Sequence, residues 1–217
     1  MNRFSFARLS AAVAGLALVL AACALIPDQN IGDVFGIDDT PVTLDEQAGD
    51  LATAQFTDCP SAGGSHCATV GPSTFADPDI SGIATSIIAG FDVDAGIQAT
   101  IEATGDPVEQ ITLTSFGVSL TVSDEETADT VSAAATATAT PPVVFEPTGT
   151  PGVYAATDVS DLQLTVAFDG SELGTLKDIL TGGGDNVGSG VVFVDVEEAG
   201  IATMTITLES DGATVSF

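Results

Sequence analysis

The chain reads as all-β: an antiparallel β-sandwich or barrel-like sheet structure with one short helix. Three observations predict this. Val, Ile, Thr and Ala alternate with polar residues at period two through most of the chain beyond residue 40, the pattern of strands buried on one face. The 23 Gly and 10 Pro fall largely between these runs, where turns need them. One segment alone, Glu172 to Leu180, carries the spacing of an amphipathic helix.

The most regular run is Ile87 to Ala95, in which Ile87, Ala89, Phe91, Val93 and Ala95 share a face. It is followed by Ile97 to Thr104, with Ile97, Ala99, Ile101 and Ala103 inward. Gly96 between them predicts a hairpin. From Ile111 to Leu113 the odd positions are apolar, whereas from Phe116 through Val118, Leu120 and Val122 the even ones are. One extra residue near Ser115 to Gly117, a bulge or kink, would return both sets to the same face.

Val131 to Thr140 alternates Ala with Thr before Pro141-Pro142. β-Branched Thr at every second position favours a strand over a linker, its inward face small enough for a closely packed neighbour or for a ligand. Further strands follow at Leu162, Leu164, Val166 and Phe168, at Val192, Val194 and Val196, and at Ala202, Met204, Ile206 and Leu208, and the chain closes on Ala213, Val215 and Phe217. About ten strands with short turns predict a sandwich or barrel. The helix at Glu172 to Leu180 places Leu173, Leu176, Ile179 and Leu180 on one side, with Ser171 to cap its start and Gly182 its end.

Composition removes many activities. Beyond the first 22 residues Lys177 is the sole Lys or Arg against 31 Asp plus Glu, leaving about 30 negative charges. Proteins hold nucleic acid phosphates with Lys and Arg, so DNA and RNA are excluded as partners. One His, one Tyr and no Trp remain. His66 lacks the G-x-S-x-G elbow of a serine hydrolase, Gly182-Gly183-Gly184-Asp185-Asn186 lacks the Lys of a P-loop, and the missing Trp argues against a sugar-stacking groove. Asp92-Val93-Asp94 looks like the opening of a calcium loop without its later ligands and reads as the solvent face of a strand. The acidity itself fits solubility in a salty or divalent-rich exterior, with discrete calcium sites as the alternative. No catalytic residue, cofactor-binding residue or metal ligand is singled out, and no cofactor is expected.

The first residues carry Arg3 and Arg8, then an apolar run from Leu9 to Ala22. At about 14 residues it is shorter than the roughly 20 needed to cross a bilayer as a helix, and it has the layout of an export signal. Leu20-Ala21-Ala22-Cys23 resembles the lipobox of bacterial lipoproteins. That resemblance, confined to the leader, implies cleavage before Cys23 and acylation of its sulfur and amine. Two or three acyl chains make a durable anchor where one gives marginal binding.

With Cys23 acylated, Cys59 and Cys67 remain as a pair in CPSAGGSHC, which suits a disulfide in an oxidising compartment. Closing so short a loop contributes about 2–3 kcal/mol. A metal or redox site of Cys59, His66 and Cys67 is the alternative, although adjacent His66 and Cys67 crowd two ligands together.

The sequence thus divides into a signal peptide at 1–22, a lipidated tether at 23–40 and an acidic all-β domain at 41–217. It predicts an exported, non-enzymatic envelope lipoprotein with a structural, adhesive or interaction role on the periplasmic or cell-surface face, with the membrane, through its lipid anchor, and an envelope protein as partners. The alternative is a carrier of an apolar, lipid-like ligand in a β cavity, and a carboxylate- or cation-dependent enzyme is the third reading.

Overall fold

A computed structural model describes residues 28–45, 67–76, 88–182 and 185–217. Ten strands are present among them: β1 Gln29–Gly32, β2 Pro41–Asp45, β3 Cys67–Ala76, β4 Gly90–Gly105, β5 Ile111–Asp124, β6 Thr130–Pro147, β7 Val153–Ala155, β8 Leu164–Phe168, β9 Asp185–Val196 and β10 Ile201–Ser216. A 3₁₀ turn covers Ser160–Leu162, and the helix α1 spans Gly170–Thr181.

All pairs are antiparallel, and the strands form one curled sheet in the order β1-β10-β4-β7-β6-β5-β9-β3, with β2 also on β10 and β8 also on β4. Two layers result. In one, the long strands β10 and β4 are flanked by the short β1 and β2 on one side and by β8 and β7 on the other. The other is β3-β9-β5-β6. Strand β6 belongs to both, pairing with β5 along most of its length and with β7 through Glu146 and Pro147.

The interior is filled by alternate side chains of both layers. Phe91, Phe116, Phe145, Phe168, Ile97, Leu113 and Leu44 are all at most 1% exposed, and each such burial contributes about 1.5–3 kcal/mol. Phe91 and Phe168 meet edge-on with ring centroids 5.8 Å apart.

Several expectations change. The hairpin expected about Gly96 does not form: Gly90–Gly105 is one continuous strand, β4, and Ile87 lies outside the described residues. The reason was visible in the phase: the odd positions stay apolar across Gly96, so no turn is required. Gly96 is instead a point of close approach, since a Cβ there would stand 2.9 Å from Cγ of Gln163. The bulge in β5 does occur, as a register shift between Leu113 and Ser115 against both β6 and β9. A second shift, between Glu209 and Gly212 of β10, lets Ala213 and Val215 continue the face begun by Met204, Ile206 and Leu208.

Residues 29–40 are a further correction. Expected as tether, they are part of the sandwich: β1 pairs with the end of β10, and Phe35 and Ile37 are 2% and 1% exposed. Gly188 makes this docking feasible, for its missing side chain leaves the space taken by the Phe35 ring, 2.8 Å from where a Cβ would lie.

Helix α1 links β8 in one layer to β9 in the other and buries Leu173, Leu176, Ile179 and Leu180, as its spacing predicts. It begins earlier than expected, and its N-cap is Asp169 rather than Ser171, without a capping side-chain bond. It packs on β6, whose inward Ala133 and Ala135 join the edge of the core. No helix among the described residues is long and apolar enough to cross a membrane.

Candidate functional site

The end of the sandwich that carries the 106–110, 148–152 and 197–200 turns holds a groove of about 410 Å³, within the usual size of a small-molecule site. Its walls come from the end of β4, the following Asp106-Pro107-Val108, the Pro147-to-Gly152 turn, Tyr154 and Ile201. The turn is fixed by its own bonds: Thr148 N–H donates to Val153 O at 3.0 Å and Val153 N–H to Thr150 O at 3.1 Å. Ala103 N–H donates to Gly152 O at 2.8 Å and ties the turn to β4.

Tyr154 anchors this groove. It is the chain's single tyrosine, 8% exposed, and its hydroxyl donates to Val108 O at 3.3 Å. Asp106 is the one carboxylate in the lining, a contrast with the acidity of the chain. Three prolines make the walls stiff, since their φ is locked. Such a surface can hold a neutral molecule by shape and by backbone polar groups, and no nucleophile-and-base pair stands in it.

A second groove, of about 310 Å³, lies at the β10 bulge and is lined by Asp94, Glu209 and Asp211 with Gln163, Thr165 and Ser210. Its carboxylates are partly engaged in structure: Thr165 donates to Asp94 Oδ1 at 2.7 Å, while Ser210 Oγ donates to the Asp94 carbonyl at 2.6 Å. Asp92 and Asp94 face outward from β4, as read from the sequence. Burial, then the charges of Asp94 and Asp28, push the Asp92 carboxyl above its ordinary range. Among the described residues no three His, Cys, Asp or Glu side chains are grouped to hold a metal ion.

A third depression, about 320 Å³, lies on the outer face of the β3-β9-β5-β6 layer. Thr121 sits between Ser132 and Ser189 in the register and shares a 2.8 Å hydrogen bond with Ser132. Thr69 and Ser119 complete a row of hydroxyls without charge.

Of the residues singled out from sequence, Cys23, Cys59 and His66 lie outside the described residues, so the lipidation site and the Cys59–Cys67 pairing stay as expectations. Cys67 opens β3, opposite Phe193 of β9. In GGGDNVGSG, Asp185 and Asn186 begin β9, and Asn186 is buried. The groove around Tyr154 was missed. Its one sequence signal was the concentration of Pro and Gly around a lone Tyr, which marks turns but not that two of them converge.

Fold and surface define an all-β sandwich with preformed grooves on its exterior. No family model and no curated protein sequence matches the chain. Among solved structures it is similar to the CBM22-1–GH10 modules of endo-1,4-beta-D-xylanase 10B from Clostridium thermocellum, complexed with xylohexaose, at 9% identity and TM-score 0.27, covering 88% of this chain and 29% of that one. It is also similar to the CBM22-1 xylan-binding domain of Paenibacillus barcinonensis Xyn10C (8% identity, TM-score 0.19, 88% and 93% covered) and to the carbohydrate-binding module CBM6cm-2 of Cellvibrio mixtus lichenase 5A in complex with cellotriose (12%, 0.18, 83% and 98%). Likenesses this distant carry no argument about what the chain binds.

Proposed function

We propose that this chain is a non-enzymatic binding module of the bacterial envelope, displayed from a membrane by lipid on Cys23. The observation that supports the binding role is the groove around Tyr154: it is built from rigid turns, lined by a single carboxylate and set at one end of a filled sandwich. The Leu20-to-Cys23 motif supports the anchor. A displayed module needs a stable body and an accessible end, and it does not need a reactive centre.

Metabolic labelling with a palmitate analogue tests the anchor. Label should enter the chain, and Cys23→Ser should abolish both the label and membrane association. An unlabelled chain, or one that stays on the membrane after the substitution, would overturn the reading.

A further inference from the structure

We infer that the Tyr154 groove takes a small organic cation, its ammonium group set against Asp106 and its apolar body lying on the proline walls. This names the ligand class of the groove and rests on the groove being the binding site.

The walls are short of hydrogen-bond donors. Pro107, Pro147 and Pro151 have no N–H to give. Three further N–H groups are already spent: Asp106 on Gly200 O at 2.9 Å, Val153 on Thr150 O at 3.1 Å and Thr150 on Thr148 Oγ1 at 3.3 Å. The Tyr154 hydroxyl gives its proton to Val108 O. What remains is chiefly accepting: backbone carbonyls, each with a second lone pair, and the Asp106 carboxylate. A ligand that brings its own N–H groups matches such walls. An anion would meet no basic side chain, because Lys177 is the sole Lys or Arg beyond the leader and lies on α1.

Asp106 is held in place yet left open. Its backbone bond to Gly200 O fixes the turn, and its side chain lies over Gly200, where a Cβ would stand 3.3 Å from the Asp106 Cβ and 3.5 Å from its Oδ2. Elsewhere carboxylates are occupied by the protein itself: Asp94 by Thr165, Asp124 by the Glu126 N–H, Asp158 by the Ser160 N–H and Glu198 by Thr112. The exposed Asp106 carboxylate has no such partner among the described residues.

Charge around the groove points the same way. Glu109, Glu146 and Glu197 are exposed at the same end of the sandwich, and a concave site with apolar walls concentrates their field on a cation. Val108, Ile201 and the prolines then give that cation apolar area to bury, which a hydrated metal ion could not use.

Tyrosine emission tests the assignment. Tyr154 is the one Tyr of a chain without Trp, so it reports the groove by itself. The full chain at pH 7 and physiological salt is titrated with cyclohexylammonium, cyclohexanol and cyclohexanecarboxylate, which share an apolar body and do not absorb with Tyr, and with methylammonium, which has the charge without the body. Cyclohexylammonium should give a saturable change, cyclohexanol a weaker one, and the other two none. Asp106→Asn should weaken cyclohexylammonium about fivefold, the weight of an exposed ion pair, and leave cyclohexanol unchanged. Glu125→Gln removes one charge from the opposite end of the sandwich and should change neither; both positions are exposed, so the fold survives the substitutions.

Cyclohexanol binding as tightly as cyclohexylammonium, methylammonium giving the same curve, or equal losses in the two variants would overturn the cation assignment while the groove stands as a binding site. Silence of Tyr154 towards all four compounds would overturn it together with the binding role of the groove, and palmitate labelling at Cys23 would be unaffected.

Discussion

Glu198 grips Thr112 twice, its carboxylate accepting the backbone N–H at 2.5 Å and the side-chain hydroxyl at 2.6 Å. The neighbouring Glu197 N–H donates back to Thr112 O at 3.0 Å. The β9–β10 turn is thereby fastened to the start of β5, next to the groove end. Thr112 is 4% exposed, so its N–H has no ready access to water if the carboxylate is removed. Glu198→Ala should cost about 1–3 kcal/mol, the penalty of a buried unsatisfied donor. Thr112→Val keeps the backbone bond and should cost less. Urea unfolding of both variants checks the order, and equal costs would mean that the hydroxyl, not the N–H, carries the clamp.

Phe35 decides whether residues 29–40 belong to the domain. Its ring is buried against Gly188 and stands 6.1 Å from the Phe75 ring. Phe35→Ala should destabilise the whole sandwich by about 3–5 kcal/mol, and Gly188→Ala should also weaken it by displacing the ring. A tether residue would show no change in thermal unfolding.

Ala135 lies on the inward, half-buried face of β6, packed against the edge of the core. Ala135→Leu puts a larger side chain into that edge of the core and should cost about 1–3 kcal/mol through overpacking. Thr136→Val, on the exposed face, should stay within about 0.5 kcal/mol. Similar losses at the two positions would contradict the inward placement of Ala135.

Carboxyl groups pull the acid response in two directions. Backbone N–H groups of Glu126 and Thr127 hold Asp124 below its ordinary range, and Ser160 does the same for Asp158. A lowered pKa adds stability above about pH 3.9 that is lost as pH falls through the folded value. Asp92, raised chiefly by burial, has the opposite sign: its contribution is present below about pH 3.9 and lost as pH rises through its folded value. Asp92→Asn should therefore raise Tm at pH 7 and have no effect near pH 3, while Asp124→Ala should lower Tm at pH 7 by more than it does near pH 3. Melting curves across that range check both signs.

A chain with about 30 unbalanced carboxylates beyond its leader repels itself when compact. Tm should rise from low to molar NaCl as the repulsion is screened. A flat response would show that the acidic groups are too far apart to matter. A steep rise at low-millimolar calcium, beyond that of matched ionic strength, would point to discrete sites.

What the sequence determined by itself was the kind of element and the face each residue takes. Period-two alternation compels Val118, Leu120 and Val122 inward wherever β5 lies, and the shift of phase between Leu113 and Phe116 requires an extra residue because a strand has no other way to keep both sets buried. The same reasoning identified α1 from Leu173, Leu176 and Ile179, and the poverty of basic groups from composition alone.

Tertiary structure decided what lay beyond local pattern. The unbroken phase across Gly96 speaks for a continuous strand, but that its missing side chain makes room for Gln163 is set by the neighbour's position alone. Phe35 and Ile37 sit among Asp and Gly and lack any period, so their burial depends on the bare surface at Gly188, distant in sequence. The Tyr154 groove exists because two turns separated by some forty residues meet at one end of the sheet. Pairing of strands far apart in the chain is a long-range contact, and no local spacing encodes which partner closes it.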